Sequence, residues 1–560
     1  MHPLPPNAQR PSASIGLILV LIMLLAARVL GLLVSPLNLG PDEAQYWRWS
    51  TELGWGYYSK PPLIAWIIAA STSLFGDSEW AIRLPAPLLH GITAYLIYLL
   101  GRRLFDNRTG VWAAVYYLLM PGVTLSSGVI TTDAVLLPCF AGAMLALWSL
   151  REAPSNTRAA ILLGLAIGLG LLAKYAMVYA VLGLIAAAIV DPPTRQAVVS
   201  KRGLLAAVIA LLVLVPHLAW NLQHGFQTIG HTADNANWGG PLFSPVNALQ
   251  FLVDQFAVVG PIGFISLATG VILIMKLPAK SRRGTIMRWL LCFTLPVLII
   301  ITGQAFVSRA HANWAATAYV AGSLIIATTL LSDRPFSRNW WIAGAVLLFS
   351  AAICAPDLSL GEKTIMGSAF GGALLAAGYS ANWTAQGVLR GSVALNAVIA
   401  LIFSAVAIGP VSWSERMGLD QSFKRSRAWP QTVQELSDTV RRMDVTAVLV
   451  DERELWHAID YYGRSDFPVP VYSWRRSGTQ KSFSERADLA DLDDPQILIA
   501  SIKPHQRRRL RADFSAFRHV GDIAVPIGGG ATRDIRLFYA EGYDLVPRTA
   551  DLNGQLTSIR

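Results

Sequence analysis

Apolar stretches about twenty residues long, enough to cross a bilayer's hydrocarbon, recur along most of this chain, and they constrain its fold more than any other feature. Candidates fall at 14–34, 80–104, 109–129, 131–150, 157–173, 175–190, 203–221, 250–276, 286–306, 312–331, 339–356, 365–380 and 391–411, thirteen in all. The run from Ile15 to Val34 is too long for the apolar centre of a signal peptide and no A-x-A site follows it, so it reads as an uncleaved first span. Only 14% of residues are charged, against about 25% in soluble proteins. Those charges are uneven, with 24 Lys/Arg and 14 Asp/Glu in residues 1–410 against 22 and 21 in residues 411–560. The expectation is a mostly α, polytopic membrane region over residues 1–411 and a soluble α/β domain over 412–560.

The balance of +11 argues against nucleic acid as a partner, because the water-soluble part is near neutral. Cys139, Cys292 and Cys354 all lie in apolar runs and make no CxxC pair, so they read as packing residues. Lys and Arg gather on alternate loops. Sixteen lie on one set, among them Arg102, Arg103, Arg108, Arg151, Arg158 and Arg195. Only Arg48, Lys60, Arg83, Lys174, Arg309 and Lys363 lie on the other. This predicts a cytoplasmic N-terminus and, with an odd number of spans, a tail on the periplasmic or extracellular side.

The long first outer loop, 35–79, carries the most chemistry. It reads Gly40-Pro41-Asp42-Glu43-Ala44-Gln45-Tyr46-Trp47 and then Gly56-Tyr57-Tyr58-Ser59-Lys60-Pro61-Pro62. Pro41 suits the first turn of a helix, with Asp42 and Glu43 at its positive end. Segment 63–75 is too short to span and reads as an interfacial or re-entrant helix. Tyr46, Trp47, Trp49, Trp55, Tyr57 and Tyr58 fit an aromatic belt. Asp133, in Thr131-Thr132-Asp133-Ala134, opens the fourth span from the outside, and Lys174 falls between two apolar runs. Each acid has a plainer reading as a helix cap, and Lys174 either snorkels or lines a cavity. Taken together, two carboxylates and two lysines at the outer level suit an anionic, membrane-embedded substrate.

At these residues the sequence resembles the GT-C membrane glycosyltransferases of the protein-mannosyltransferase superfamily. It is most similar to the bacterial aminoarabinose transferase branch, with the lipid A galacturonosyltransferases nearby. The matching pieces are PDEAQYW (41–47), YYSKPPLIAW (57–66), TTDAVLLP (131–138), the glycine-rich LGLAIGLGLLAKYA (163–176) and RAHANWAATAY (309–319). The resemblance implies a GT-C-like fold of about 13 transmembrane helices in the inner membrane. It implies inverting transfer of a sugar from a polyprenyl-phosphate donor to a lipid A, lipopolysaccharide or other envelope acceptor. Asp42 then matches the family's base or acceptor orienter, with Glu43 beside it and Asp133 as the second acid. Lys60 matches the phosphate-binding lysine before Pro-Pro. By charge and level rather than by the resemblance, Lys174 and Arg309 are further donor-phosphate candidates, and Arg309 could instead hold an anionic acceptor. Ser59 departs from the aminoarabinose branch, which has a metal-linked glutamate there, so a divalent metal stays an open question. His224, His231 and His311 are candidate ligands, each with a plain hydrogen-bonding alternative.

Physical chemistry supports the same roles. A departing lipid phosphate needs a cation where the dielectric is low, and an incoming hydroxyl needs a base within reach. In the tail, Val445–Val450, Pro470–Trp474, Gln496–Ala500 and Ile535–Ala540 read as strands and 428–443 and 453–463 as helices. Gly528-Gly529-Gly530 reads as a turn, and the basic run Arg507–Arg511 as a solvated helix face or an anionic contact. A lipid-linked sugar transporter and an envelope-assembly scaffold are the competing classes. No internal repeat favours the first, and idle carboxylates argue against the second.

Overall fold

The computed structural model describes residues 11–236, 242–278, 280–331, 384–416, 423–476, 480, 482–493, 495–546, 548–550 and 556–558. The expected spans at 339–356 and 365–380, together with Cys354, Lys363, Arg334 and Arg338, lie outside the described residues. The chain forms two compact units. One comprises Met1–Leu30, Leu84–Leu218 and Ala236–Phe403, and the other Gly31–Arg83, Ala219–Asn235 and Ser404–Arg560. By contacts, then, the first outer loop and the tail belong to one unit, across the expected boundary at 411.

Among the described residues, six helices are long and apolar enough to cross a membrane: Ile15–Val34, Glu79–Leu104, Thr132–Glu152, Lys201–Gln223, Arg282–Val307 and Ala385–Ile408. Thr157–Ala173, Tyr175–Val190 and Ala318–Leu330 are shorter apolar helices. The segment read as one span over 250–276 is instead two helices, Pro245–Val259 and Pro261–Met275, bent by 112°. The physical cause is Gly260-Pro261: Gly260 takes φ +93°, and a proline cannot continue the hydrogen-bond ladder. Likewise 109–129 breaks at Met120, whose extended ψ of 132° is what a residue before proline prefers.

In the first unit the glycine-rich stretch serves packing. A Cβ on Gly164 would stand 2.5 Å from the carbonyl oxygen of Ala206, and one on Gly168 would stand 2.7 Å from Val213 Cβ. Helix Thr157–Ala173 can therefore approach Lys201–Gln223 only through these glycines. Arg151 closes on Asp191 with two hydrogen bonds of 2.6 and 2.9 Å and lies over the Trp148 ring.

In the second unit five strands make a mixed sheet: β1 (Ala447–Val450), β2 (Val471–Ser473), β3 (Ile497–Ser501), β4 (Phe514–Gly528) and β5 (Ala531–Tyr543), in the order β2-β1-β3-β5-β4. β1 is parallel to β2 and β3, while β5 runs antiparallel to β3 and β4. Alternate residues of β1 feed two cores. Val448 and Val450 pack with Trp429, Leu436 and Ile459 from helices Trp429–Arg441 and Arg453–Tyr462. Ala447 and Leu449 pack with Trp474, Leu510 and Phe538 on the opposite face. A strand covered on both sides reads as a continuous apolar run. β4 was not anticipated, because most of its side chains are at least partly exposed and its register shifts at His519/Gly521 and Pro526/Gly528. The three glycines 528–530 turn the hairpin with φ of +93°, +64° and +70°.

The first-loop helix Pro41–Thr51 packs on Arg453–Tyr462 and on Leu63–Phe75. Tyr46, Trp47, Trp49 and Tyr57 are buried in this unit, so they do not form a lipid-facing belt, whereas Trp55 is exposed. Trp49 stacks on Tyr57 at 4.7 Å, and the Trp47 ring meets Tyr461 edge-on at 4.8 Å.

Candidate active site

The six candidate residues fall into two clusters, one within each unit. In the second unit, Gly40 precedes helix Pro41–Thr51 with extended backbone, and its N–H donates to Glu43 Oε2 at 2.8 Å. Arg83 grips the same carboxylate, Nε to Oε1 at 2.8 Å and Nη2 to Oε2 at 2.7 Å. It also donates to the carbonyls of Leu37 and Asn38. Both side chains are almost fully buried, where an ion pair persists only if its hydrogen bonds are satisfied. Glu43 thus supplies the capping bond and anchors the loop. Asp42, one residue earlier, is left 57% exposed.

Arg453 opens the helix that follows β1. Its Nη2 lies 3.3 Å from Asp42 Oδ1, and its Nη1 donates to Gln45 Oε1 at 2.5 Å. Sequence reading missed this residue, 411 positions from Asp42, and no local motif marks it. Lys60 is half-buried and directly precedes Pro61-Pro62, which lead into helix Leu63–Phe75. Thr228 donates to the Tyr57 carbonyl at 2.6 Å, tying helix Gln227–Asp234 to the YYSK segment. Gly56 is required there, since a Cβ would stand 2.3 Å from Trp220 Cε3.

That helix brings His231 edge-on to Tyr58 at 5.0 Å. Burial above all, then the positive fields of Lys60 and Arg453, hold its imidazole down to about 4, against the opposing pull of Asp234 and Asp42. His231 is therefore neutral at pH 7. His224 instead stacks on Trp220 at 4.1 Å and donates to its carbonyl at 2.8 Å.

The first unit holds the other cluster. Thr131 caps helix Thr132–Glu152 by accepting from Ala134 N at 3.4 Å, which leaves the Asp133 side chain for other partners. Lys174 Nζ lies 2.7 Å from Asp133 Oδ1, and Asn313 Nδ2 donates to Oδ2 at 2.7 Å. Lys174 reaches Asp133 because the chain is extended between Ala173 and the short 3-10 turn Tyr175–Met177. Lys174 is thus held by Asp133 rather than reaching freely along the chain's surface. His311 packs edge-on against Trp314 at 5.4 Å. Partial burial, then the charges of Arg309 and Lys174, hold its imidazole below the ordinary value. Arg309 is exposed. Asn313 lies within the quoted RAHANWAATAY stretch, but nothing in its spacing pairs it with Asp133.

The donors around Asp42 do not fit a divalent cation. Ser59 offers a buried hydroxyl where the aminoarabinose branch has a carboxylate, and the charged groups facing His231 include Lys60 and Arg453. Among the described residues, no three His, Cys, Asp or Glu side chains gather as metal ligands.

Residues 59–220 match the family of dolichyl-phosphate-mannose-protein mannosyltransferases. The chain is 39% identical over 295 residues to the lipid A galacturonosyltransferase RgtD of Rhizobium johnstonii, covering 52% of this chain and 61% of that one. It is 31% identical over 150 residues to an undecaprenyl phosphate-alpha-4-amino-4-deoxy-L-arabinose arabinosyl transferase of Pseudomonas fluorescens, covering 24% and 27%. The chain thus spans less than two thirds of the length of these curated relatives. The solved structure of ArnT from Cupriavidus metallidurans in the apo state superposes with a TM-score of 0.58 at 16% identity, over 94% of this chain and 98% of that one. Its complex with undecaprenyl phosphate gives 0.59, also at 16% identity, over 93% and 98%. The chain therefore has the GT-C fold of ArnT and is similar in sequence to the galacturonosyl and aminoarabinose transferase branch of the protein-mannosyltransferase superfamily, the branch its motifs resemble.

Proposed function

We propose that the protein is a multi-pass inner-membrane glycosyltransferase that moves a sugar from a polyprenyl-phosphate donor to lipid A or a related envelope acceptor. The observation that carries this reading is the presentation of Asp42. Its neighbour Glu43 is consumed by Arg83 and the helix end, while Asp42 stands exposed beside Arg453. In the proposed inverting step the acceptor oxygen attacks the anomeric carbon as the bond to the donor phosphate breaks. Asp42 takes the acceptor proton. Lys60 meets the negative charge that grows on the leaving phosphate. Arg453 holds the Asp42 carboxylate in position, and Glu43 acts through the loop rather than on the substrate.

Asp133 has both oxygens engaged and serves as the partner of Lys174. Arg309, which is exposed, is then the cation of that unit left as a candidate for lipid phosphate, with Lys174 held by Asp133. Of the two sugars that the relatives' names carry, galacturonic acid suits this chain better. Where the aminoarabinose branch has a glutamate, Ser59 carries no anion, which weakens the attraction for a sugar amine and removes a repulsion against a sugar carboxylate. We place the site and the tail on the periplasmic face, with a cytoplasmic N-terminus, on the loop distribution of Lys and Arg.

Purified protein in detergent, given lipid A and either a galacturonosyl or an aminoarabinosyl polyprenyl phosphate, tests the reading by mass spectrometry. Mass gain of one uronic acid on lipid A is the expected result. No gain with any donor would refute the transferase, and gain only with the amino sugar would refute the sugar assignment.

A further inference from the structure

The parallel strands β1 and β3 end side by side, and the crevice beyond the carboxyl ends of parallel strands is a common ligand position in α/β sheets. Here it opens into a cavity of about 800 Å³, within the range of roughly 300–1,000 Å³ usual for small-molecule sites. Among the described residues, Lys424, Arg425, Lys503, Arg507, Arg533 and Arg536 line it, with Glu454, Asp522 and Asp534. The site is built rather than incidental. Asp451 accepts from Ser501 Oγ at 2.6 Å, Ile502 N at 2.9 Å and Lys503 N at 3.1 Å, which fixes the loop after β3. Ser501 in turn accepts from Arg507 Nε at 3.0 Å. From β5, Arg533 lays its guanidinium 3.5 Å over the Trp429 ring and donates to Thr432 at 2.8 Å.

Carboxylates meet several of these cations, Glu452 among them at 4.0 Å from Lys503 Nζ. Glu454 meets Arg425 at 3.6 Å and Lys503 at 3.7 Å, and Asp522 meets Arg536 at 3.2 Å. Arginines on two walls offer forked donors that match phosphate oxygens, and isoleucines 502, 523, 527 and 535 supply apolar lining between them. The connection from β1 then links this cavity to the candidate active site through consecutive residues: Arg453 reaches Asp42, and Glu454 faces the cavity. The run Arg507–Arg511 is thereby explained in part, since Leu510 anchors it in the core and Arg507 enters the cavity.

We infer that this cavity binds the phosphorylated saccharide headgroup of the acceptor, holding its phosphates while a hydroxyl is presented for transfer. The inference rests on the transferase reading for its purpose, but binding is measured without transfer. The probes are a water-soluble glucosamine disaccharide bearing two phosphates, its dephosphorylated form, inorganic phosphate, and phosphatidylglycerol vesicles. Full-length wild-type protein should bind the bisphosphorylated disaccharide in preference to the other three. Lys424→Gln/Arg425→Gln/Lys503→Gln should weaken that binding by about tenfold or more, as expected for losing charge-assisted hydrogen bonds. Lys503→Gln alone should weaken it by a smaller factor. Affinity for undecaprenyl phosphate should not change, and the acceptor KM should rise with little change in kcat. Wild-type affinity in both variants, or equal binding of inorganic phosphate or phosphatidylglycerol vesicles, would overturn the inference. Binding lost in the variants while wild-type protein transfers no sugar would uphold the cavity and remove the transferase reading instead.

Discussion

Arg453 Nη2 stands 3.3 Å from Asp42 Oδ1, so the residue that steadies the proposed base comes from the opposite end of the chain. Both groups are partly exposed, and a screened ion pair of this kind adds little to stability. Its effect is expected in chemistry. Arg453→Gln should lower kcat by about ten- to a hundredfold, from the loss of a hydrogen bond to a charged group. Its melting curve should match wild type. Steady-state transfer kinetics beside thermal unfolding check this, and a lowered Tm with normal kcat would make Arg453 a structural contact only.

Asp42→Asn preserves shape and removes the charge. Loss of a general base costs about 10²–10⁴-fold in rate, whereas an exposed substitution of this kind changes stability by about 0.5 kcal/mol or less. Transfer from a purified lipid donor should therefore fall by orders of magnitude with little change in melting. Near-normal turnover would move the base elsewhere.

Glu43 and Arg83 should behave in the opposite way. Breaking a buried, hydrogen-bonded ion pair costs about 3–5 kcal/mol, and Arg83 also holds the Leu37 and Asn38 carbonyls. Glu43→Gln and Arg83→Gln should both lower Tm clearly, and the double variant should lose much less than the two effects added. Additive losses in that cycle would show that the pair does not act as a unit.

The depressed imidazole of His231 gives a pH test. Its ordinary value is 6.5 and the folded value is about 4, so between those limits the unfolded chain takes up a proton that the folded one refuses. Folded stability from this group should fall as pH drops from 6.5 towards 4 and be flat above 6.5. Lys60→Met removes a cation and should raise the folded value, detectable by NMR of labelled histidine. An unmoved titration would place Lys60 too far from His231 to act on it.

A reporter fused after residue 560 should be active only when it needs the periplasm or exterior, given the 16-to-6 division of Lys and Arg between loop sets. Activity of a cytoplasmic reporter there would reverse the proposed topology.

The spacing of apolar runs made the long helices legible, because twenty apolar residues have few other ways to bury their backbone. Continuous apolar runs containing Val and Ile likewise marked β1 and β3, since both faces of those strands are covered. Short motifs pointed to Asp42, Lys60 and Asp133 because helix starts and Pro-Pro turns are local events. The bend at Gly260 was locally written as well, yet an apolar run of spanning length masked it.

Local features were therefore written along the chain: most of its helical and extended segments, where helices start, and which charged side chains stand at their ends. Which of those charges meet depends on the folded arrangement. Asp42 and Glu43 are neighbours with the same functional group, and Arg83 selects Glu43 for the frame while Arg453 meets Asp42. Lys174 is given to Asp133, with Asn313 completing the carboxylate. The physical reason is that ion pairing depends on distance in space, and partners separated by 40 to 411 positions leave no periodicity or motif in the chain that joins them.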